Sequence, residues 1–343
     1  MNNFLNSKLF EKEVEQRATR DGYGEGLLEL GDRSTSSGLD VVVLTADLAE
    51  STRALAFGKK YPERFFECGV AEQNMTGIAA GLAAAGKVPF VSSYAVFSPG
   101  RAWDQVRVSV CYSNLGVKIA GAHTGVSIGP DGATHQALED IAITRVLPNM
   151  TVVVPCDAIE TKKCTLAAAA RPGPVYFRFT REKTPVITTP ESTFEIGRAN
   201  VLWDSGNFQS ISKFSNLQNQ VAIVACGPLV YQSLIAAKEL HEEGIGTMVV
   251  NNHTVKPMDV ETVTRVAREC GAAVTVEEHQ VMGGMGSAVA EVLAANYPVP
   301  MELVGMPDKF GESGQPEELL EKYGMSVKAI KEAVKRVMAR KNK

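Results

Sequence analysis

The sequence predicts an α/β protein of two domains, each built on a mainly parallel sheet flanked by helices. Short apolar runs that fit buried strands alternate with helical stretches along nearly the whole chain, which is typical of β-α-β units. The 343 residues are about twice the usual length of a domain. The alternation stops over residues 182–215, which are rich in Thr, Pro, Ser and Asn, so we expect domains at residues 10–190 and 191–343.

The strands and helices of the first half follow from continuous apolar runs and from amphipathic or Ala-rich stretches. Runs rich in Val, Ile and Phe predict strands that are buried on both faces. The predicted strands are Asp40–Thr45, Val117–Ala120, Thr151–Pro155 and Pro174–Phe179. The predicted helices are Ser7–Leu30, Ala71–Ala85, Gly100–Tyr112 and Ala158–Ala170.

A second alternation begins after the boundary segment. The predicted strands are Val221–Ala225, Thr247–Asn251, Ala273–Glu277 and Met301–Val304. The helices between them are predicted at Leu229–Glu243, from a turn at residues 255–259 to about Cys270, and after the glycines at 283–286, with a charged helical tail at the end. We interpret Gly283–Gly286 as a tight turn, because its spacing differs from that of a dinucleotide-binding loop. The segment Leu202–Gln220 receives no functional interpretation.

The overall composition is that of an ordinary globular protein, with 45% hydrophobic and 22% charged residues. A net charge of −4 is too balanced to indicate a nucleic-acid partner. The apolar runs are shorter than the roughly 18 residues of a membrane span, and the first residues lack the apolar core of a signal peptide. The six cysteines contain no C-x-x-C pair, so we expect reduced thiols rather than a metal site or disulfides. These features predict a cytoplasmic protein without membrane or nucleic-acid partners.

The densest polar cluster, residues 121–140, follows the predicted strand at Val117–Ala120. It contains His123, Asp131 and His135 among four glycines. In an open parallel sheet, ligands bind in loops beyond the carboxyl ends of the strands, where this segment should lie. The alternative is a polar surface loop with a helix cap at Thr134.

Glu72 begins a predicted helix whose other residues are mostly small and apolar. Such a helix should be buried, so Glu72 is expected to be at least partly buried at its start. A buried carboxylate has to be neutral or paired with a donor. The alternative is an exposed glutamate that favours the positive end of the helix dipole.

Cationic and hydroxyl groups also follow predicted elements. Arg20 lies in Thr-Arg-Asp-Gly near the start, Asp47 and Ser51 follow the first strand, and Arg181 follows the strand at Pro174–Phe179. An arginine just beyond a strand suits a bidentate contact with phosphate. Taken singly, a group of this kind is more often part of a surface salt bridge than of a binding site.

Together and in this order, these segments resemble the C-terminal half of transketolase, from about residue 10 to the end. The resemblance implies a pyrimidine-binding domain of a thiamine diphosphate enzyme, followed by a transketolase C-terminal domain. Its most specific motifs are ATRDGYG at 18–24, TADLAEST at 45–52, FFECGVAEQNM at 65–75, GVSIGPDGATHQALED at 125–140 and EEHQVMGGMGSAV at 277–289.

The resemblance assigns cofactor-binding roles to five positions. Glu72 matches the glutamate that hydrogen-bonds to N1′ of the aminopyrimidine and so promotes formation of the reactive ylid. Phe97 matches the aromatic residue on which the pyrimidine stacks, with Tyr94 beside it. Asp47 falls where the family has an acid in the cofactor pocket. His135 is predicted to face the cofactor and the reacting carbons, which makes Glu72 and His135 the expected catalytic residues.

The resemblance also assigns substrate-binding roles. Arg20, Ser51 and Arg181 match the anchors of the sugar phosphate, with His123 nearby. Asp131 matches the acid that accepts a hydrogen bond from a substrate hydroxyl group. The implied substrates are phosphorylated ketoses and aldoses such as those of pentose phosphate metabolism.

The motif by which the family binds diphosphate and metal, Gly-Asp-Gly followed by a distant Asn, does not occur in the chain. We therefore expect a split enzyme in which a separate N-terminal subunit supplies the ligands of Mg²⁺ or another divalent cation. The expected assembly is α2β2, with thiamine diphosphate bound at the subunit interface.

Three alternative functions share this architecture. A 1-deoxyxylulose-5-phosphate synthase carries similar motifs, but it is normally one long chain and uses pyruvate. The beta subunit of a 2-oxoacid dehydrogenase has a similar size, but it is not expected to combine GPDGATHQ with the ATRDGYG arginine. A non-catalytic subunit would not need Glu72, Phe97 and Asp131 together.

Overall fold

A computed structural model describes residues 5–207 and 220–341 of the chain. It contains a seven-stranded sheet and a five-stranded sheet, each mainly parallel and flanked by helices, which confirms the predicted α/β class. The segment Leu202–Gln220 is described only at its two ends, because residues 208–219 lie outside the described residues.

The elements of the first half agree with most of the predicted ones. The sequence analysis did not identify two strands of the large sheet, at 65–67 and 88–94. The strands are β1 Gln16–Ala18, β2 Val41–Thr45, β3 Phe65–Glu67, β4 Val88–Tyr94, β5 Lys118–Ala122, β6 Thr151–Val153, β7 Val175–Phe179 and β8 Lys183–Pro185. The helices are α1 Thr19–Ser37, α2 Leu55–Lys60, α3 Glu72–Ala84, α4 Trp103–Gln105, which continues as a π-helix over Val106–Tyr112, α5 Asp140–Arg145 and α6 Ala158–Ala170.

The prediction of a helix over Ser7–Leu30 was wrong in its first half. Residues Gln16–Ala18 form β1, which pairs antiparallel with β8, and the helix begins only at Thr19. Tertiary pairing decides the conformation here, since a three-residue strand has no periodic signal of its own. The helix then packs against α6, where a side chain at Gly22 would overlap the carbonyl of Ala158.

The second half also follows the predicted alternation. Its strands are β9 Asn200–Asp204, β10 Gln220–Ala225, β11 Gly246–Asn251, β12 Thr254–Lys256, β13 Ala273–Gln280 and β14 Met301–Met306. Its helices are α7 Leu229–Glu242, α8 Val260–Cys270, α9 Met285–Asn296, α10 Pro316–Lys322 and α11 Val327–Lys341.

The two sheets are connected by a strand that crosses between them. The large sheet has the order β12-β6-β7-β5-β4-β2-β3, and the smaller one has the order β14-β13-β10-β11-β9. Strand β12 belongs by sequence to the second half, but it pairs antiparallel with β6 of the first. The predicted turn at residues 255–259 therefore begins inside a strand, a feature that depends on the partner strand and has no local signal.

The parallel strands β2, β3, β4, β5 and β7 point their carboxyl ends toward the same edge of the large sheet. Most of the predicted site residues lie in the loops that leave this edge, which is where an open α/β sheet binds its ligands, while Arg20, Glu72 and Tyr94 lie in α1, α3 and β4. Among the described residues, no helix is long and apolar enough to cross a membrane.

Candidate functional site

Glu72 and Phe97 meet at the sheet edge through a third residue, Arg101. Glu72 is the first residue of α3 and only 3% exposed. The guanidinium of Arg101 donates to both carboxylate oxygens, at 3.1 and 3.3 Å, and lies 4.1 Å from the centre of the Phe97 ring. We call Glu72, Tyr94, Phe97 and Arg101 the aromatic pocket. Burial of Glu72 agrees with the apolar composition of its helix, and Arg101 is the donor that such a carboxylate requires.

Two histidines lie against the aromatic rings of this pocket. His123 stacks on Tyr94 with 3.9 Å between ring centres. His135 presents its ring nearly perpendicular to Phe97 and to Tyr94, at 5.4 and 6.0 Å. Its Nδ1 lies 2.8 Å from the hydroxyl of Thr134, which fixes the orientation of the imidazole. The structure thus brings together the four predicted residues Tyr94, Phe97, His123 and His135.

Burial and the neighbouring arginines Arg20 and Arg181 lower the pKa of His123 to about 3. The imidazole is therefore neutral at physiological pH and binds through hydrogen bonds rather than charge. Its Nδ1 is buried without a hydrogen-bond partner in the described structure. A buried polar atom of this kind is a natural contact for a ligand.

Three arginines line a cleft of about 1000 Å³, together with Lys183 and the acids Asp21, Glu182, Glu278, Glu317 and Glu318. We call Arg20, Arg53 and Arg181 the arginine cleft. Burial and the charge of Arg53 lower the pKa of Arg20, whose Nε is buried without a partner in the described part of the chain. One Arg20 nitrogen donates to the carbonyl of Ser51 at 3.0 Å. Converging guanidinium groups favour an anionic ligand, and a phosphate would offset their mutual repulsion.

Asp131 forms a 2.9 Å ion pair with Arg181, which links the loop after β5 to the loop after β7. The contact joins two predicted substrate-binding residues that are fifty positions apart in the chain. Because both side chains are partly exposed, the pair remains accessible to a ligand from the cleft.

Asp47 is less closely connected to the other predicted residues. It is exposed and has a left-handed backbone conformation with φ of 59°. Its backbone N–H donates to the carboxylate of Glu67 at 2.8 Å. Within residues 5–207 and 220–341, its side chain makes no contact with the aromatic pocket, so its cofactor-binding role stays a prediction.

The sequence analysis did not identify Arg101 and Arg53. The buried Glu72 indicated that a donor had to be present, but the identity of that donor depends on how the loop after β4 folds back over Phe97. Arg53 directly follows the motif TADLAEST in the sequence, and its Nε pairs with Asp21 at 2.7 Å. Its place beside Arg20 depends on the packing of α1 against the turn at residues 50–54.

The described residues contain no group of three or more His, Cys, Asp or Glu side chains that could hold a metal ion. The six cysteines are free thiols, and all except Cys68 are buried. Burial raises the pKa of several of them, for example that of Cys111 to about 11, so these thiols stay protonated.

Comparison with protein families matches both halves of the chain. Residues 15–186 match the transketolase pyrimidine-binding domain, and residues 213–330 match the transketolase C-terminal domain.

Two relatives are similar over nearly their whole length. A protein of Methanocaldococcus jannaschii named as a transketolase C-terminal section is 43% identical, over 94% of this chain and 96% of its own. A subunit of the 6-deoxy-6-sulfo-D-fructose transketolase of Clostridium sp. strain MSTE9 is 40% identical, over 97% of this chain and 98% of its own. The similarity therefore includes both sheets and the candidate site.

One solved structure, described as a split gene transketolase in an inactive beta4 tetramer, shares 46% sequence identity with the chain. The match has a TM-score of 0.84 and covers 94% of this chain and 99% of that one.

Proposed function

The chain belongs to the transketolase family, and we propose that it is the C-terminal subunit of a split enzyme that transfers a two-carbon ketol unit from a ketose phosphate to an aldose phosphate. One observation carries this proposal: a buried carboxylate beside an aromatic ring and a cluster of arginines lie at the same sheet edge. Ketol transfer needs both features, because a planar heterocyclic cofactor must lie next to a phosphorylated sugar.

The family depends on thiamine diphosphate, and the aromatic pocket fits its aminopyrimidine ring. Arg101 is a planar group with N–H donors, and it already stacks on Phe97 while bonding to Glu72. An aminopyrimidine can also lie on Phe97 and hydrogen-bond to Glu72, but its ring nitrogen accepts a hydrogen bond where Arg101 donates one. We propose that Glu72 hydrogen-bonds to the ring nitrogen, that the ring stacks on Phe97 with Tyr94 beside it, and that Asp47 contacts the cofactor at the edge. When bound, the cofactor supplies the nucleophilic carbon that carries the two-carbon unit.

We assign the arginine cleft to the anionic end of the sugar. Arg20 and Arg181 hold the phosphate, with the Ser51 hydroxyl and the neutral His123 as hydrogen-bonding groups. Asp131 accepts a hydrogen bond from a sugar hydroxyl while its pair with Arg181 fixes its position. His135, directed toward the aromatic pocket, orients the reacting oxygen. A relative named for 6-deoxy-6-sulfo-D-fructose indicates that this type of cleft accepts a sulfonate as well, so both anions are candidates beside the pentose phosphates.

We further propose that the diphosphate and a divalent cation such as Mg²⁺ are bound by an N-terminal subunit. The described residues contain no cluster of metal ligands, and relatives that match this chain almost end to end are themselves named as subunits or sections of transketolases. An α2β2 assembly would place each cofactor between the two kinds of chain. We retain the division at residues 190/191 and a cytoplasmic location as proposals, the latter supported by the free thiols.

The test compares the purified chain alone with the chain co-expressed with a partner that carries the Gly-Asp-Gly motif. We expect ketol transfer only from the pair, and only with thiamine diphosphate and a divalent cation. Activity of the chain alone would contradict the split-enzyme proposal. Release of carbon dioxide from pyruvate by the pair would favour a decarboxylating relative, and an inactive pair that still assembles would favour a non-catalytic subunit.

A further inference from the structure

The segment from His123 to Ala137, here called the substrate loop, carries the proposed substrate residues His123, Asp131 and His135. Its two ends are joined within the first domain, where the N–H of Gly125 donates to the carbonyl of Ala137 at 3.0 Å. Between these ends the backbone makes tight turns, with positive φ at Gly125, Gly129 and Gly132. A loop with so many left-handed residues needs outside contacts to hold one conformation.

Glu278, near the end of β13 in the second sheet, supplies the first of these contacts. Its side chain is almost completely buried, and its carboxylate accepts a hydrogen bond from the backbone N–H of Ser127 at 2.6 Å. A side chain at Gly125 would overlap the Glu278 carboxylate. The beginning of the substrate loop therefore fits directly around a residue of the C-terminal domain.

Gln136 makes the second contact at the other end of the loop. Its buried side-chain amide donates to the carbonyl of Val126 at 3.2 Å and to the carbonyl of Glu312 at 3.0 Å. One group thus joins the start of the loop, the end of the loop and the C-terminal domain. A side chain at Gly311 would overlap this amide.

The middle of the loop is equally close to the C-terminal domain. A methyl group at Gly132 would lie 2.5 Å from the hydroxyl of Ser313, and one at Gly129 would lie 3.1 Å from the carbonyl of Gly314. These glycines therefore meet two requirements, since they allow a positive φ and they leave room for the segment at residues 311–316. The loop takes its shape against that segment.

Leu138 and helix α5, which follow the substrate loop, also form hydrogen bonds with residues of β13. His279 accepts hydrogen bonds at Nε2 from the N–H groups of Ile141 and Ala142, at 3.2 and 3.4 Å. Burial lowers the pKa of His279 to about 4, so its imidazole is neutral and able to accept. The N–H of Gln280 donates to the carbonyl of Leu138 at 2.9 Å.

We propose that the C-terminal domain is a positioning element of the active site, in which Glu278 acts through Ser127, and the carbonyl of Glu312 through Gln136, to hold Asp131 and His135 in place. The inference rests on the proposed ketol transfer for its kinetic consequences, but the positioning itself is a property of the folded chain. It gives the C-terminal domain a part in substrate recognition.

The experiment compares Glu278→Ala, Glu278→Gln and Gln136→Leu with the unmodified chain, each co-expressed with the partner subunit. Glutamine can still accept from the N–H of Ser127, whereas alanine leaves that buried donor unpaired. We expect Glu278→Ala and Gln136→Leu to raise KM for the ketose phosphate about tenfold, while the Kd of thiamine diphosphate changes less than about threefold. Glu278→Gln should restore most of the loss. Glu321→Ala, at an exposed glutamate of α10 outside the cleft, is the matched control.

Amide hydrogen exchange tests the loop directly and needs no activity. Residues 125–136 should exchange faster in Glu278→Ala and Gln136→Leu, with residues 41–45 of β2 unchanged. Unchanged exchange of the loop would overturn the proposal, and so would faster exchange with unchanged KM and kcat. If Glu278→Ala does not fold, the Gln136→Leu variant tests the positioning role by itself, because it removes the hydrogen bond to Glu312 without changing a charge. An inactive unmodified pair would contradict the proposed function, whereas the exchange result would still decide on the positioning.

Discussion

The aromatic pocket and the arginine cleft lie at the same sheet edge but differ in how their polar groups are satisfied. In the aromatic pocket, Arg101 already occupies both Glu72 and the face of Phe97. In the arginine cleft, the Nε of Arg20 has no partner in the described structure, and about 1000 Å³ of space adjoins the guanidinium groups. The first region is closed by one of the chain's own side chains, and the second is open to an anion. A cofactor therefore has to displace a protein group. In the cleft, Arg53 and Arg181 pair with Asp21 and Asp131, but Arg20 still has a donor for a phosphorylated substrate.

The largest expected effect comes from removing the acid of the aromatic pocket. Glu72→Gln keeps the size of the side chain but replaces the carboxyl with an amide that cannot transfer a proton to the ring nitrogen. We expect kcat of the reconstituted pair to fall by about a thousandfold, with cofactor binding largely retained. Isothermal titration separates cofactor binding from turnover.

Glu63→Gln, an exposed glutamate close in sequence, is the control for this variant and should leave kcat unchanged. If Glu72→Gln retained more than about a tenth of the activity, the pocket would not be where proton transfer is assisted.

The next largest effect concerns the arginine cleft, where substitutions should change KM for the phosphorylated substrate. Arg20→Gln and Arg181→Gln each remove a charged donor, which we expect to raise KM for a ketose phosphate by about ten- to a hundredfold. KM for a ketose without phosphate should hardly change. The exposed pair of Arg198 with Glu261 provides the matched control, Arg198→Gln. Equal losses for both substrates would show that the cleft does not bind the anionic end.

The two regions also differ in how far the sequence predicts them. The burial of Glu72 follows from the apolar helix that it begins, and the loops after predicted strands place Asp131 and Arg181 at one sheet edge. Phe97 follows β4, which the sequence analysis did not identify, and it was assigned by the resemblance alone. The pairing of Asp131 with Arg181 could not be predicted, because it requires β5 and β7 to be neighbours although β6 lies between them in sequence. The position of Arg101 depends on a single loop conformation, which has no periodic signal.

The role of the second half was predicted least well. The sequence analysis placed every proposed site residue in the first half and assigned none to the second. The contacts of Glu278 and Gln136 join residues that are 151 and 176 positions apart in the chain. Contacts of this kind depend on how two sheets pack, and strand β12, which crosses into the first sheet, shows that even the assignment of strands to sheets is decided by tertiary structure.

A smaller effect tests whether Arg101 competes with the cofactor. Arg101→Met keeps apolar contact with Phe97 but leaves the buried Glu72 without its donor in the isolated chain. The Arg101 side chain is half exposed, so the ion pair contributes about 1 kcal/mol or less, and we expect thiamine diphosphate to bind up to about fivefold more tightly. Calorimetric titration of the reconstituted pair measures the change, with Arg107→Met, at an exposed position nearby, as the control. Weaker binding would mean that Arg101 contacts the cofactor instead of competing with it.

The smallest expected effect on activity concerns His123, which lies between the two regions. Since its pKa is lowered to about 3, it carries no charge between about pH 5 and pH 8, and the positive charge of the cleft comes from the arginines and Lys183. His123→Asn should therefore leave the pH profile of kcat/KM unchanged in shape, although its height decreases. A shift of the acidic limb in this variant would show that His123 is protonated when it works, and the cleft would then include a histidine cation.

The same substitution has a consequence for stability whose sign follows from the lowered pKa. The unfolded chain protonates His123 near pH 6.5 and the folded chain only near pH 3, so the folded state loses stability as the pH falls through this interval. Asparagine does not titrate, so urea unfolding of the isolated chain should show His123→Asn losing less stability than the unmodified chain between about pH 7 and pH 5, by on the order of 2 kcal/mol. Equal losses would mean that the imidazole is as accessible to protons in the folded chain as in the unfolded one, and the stacking on Tyr94 would not be protecting it.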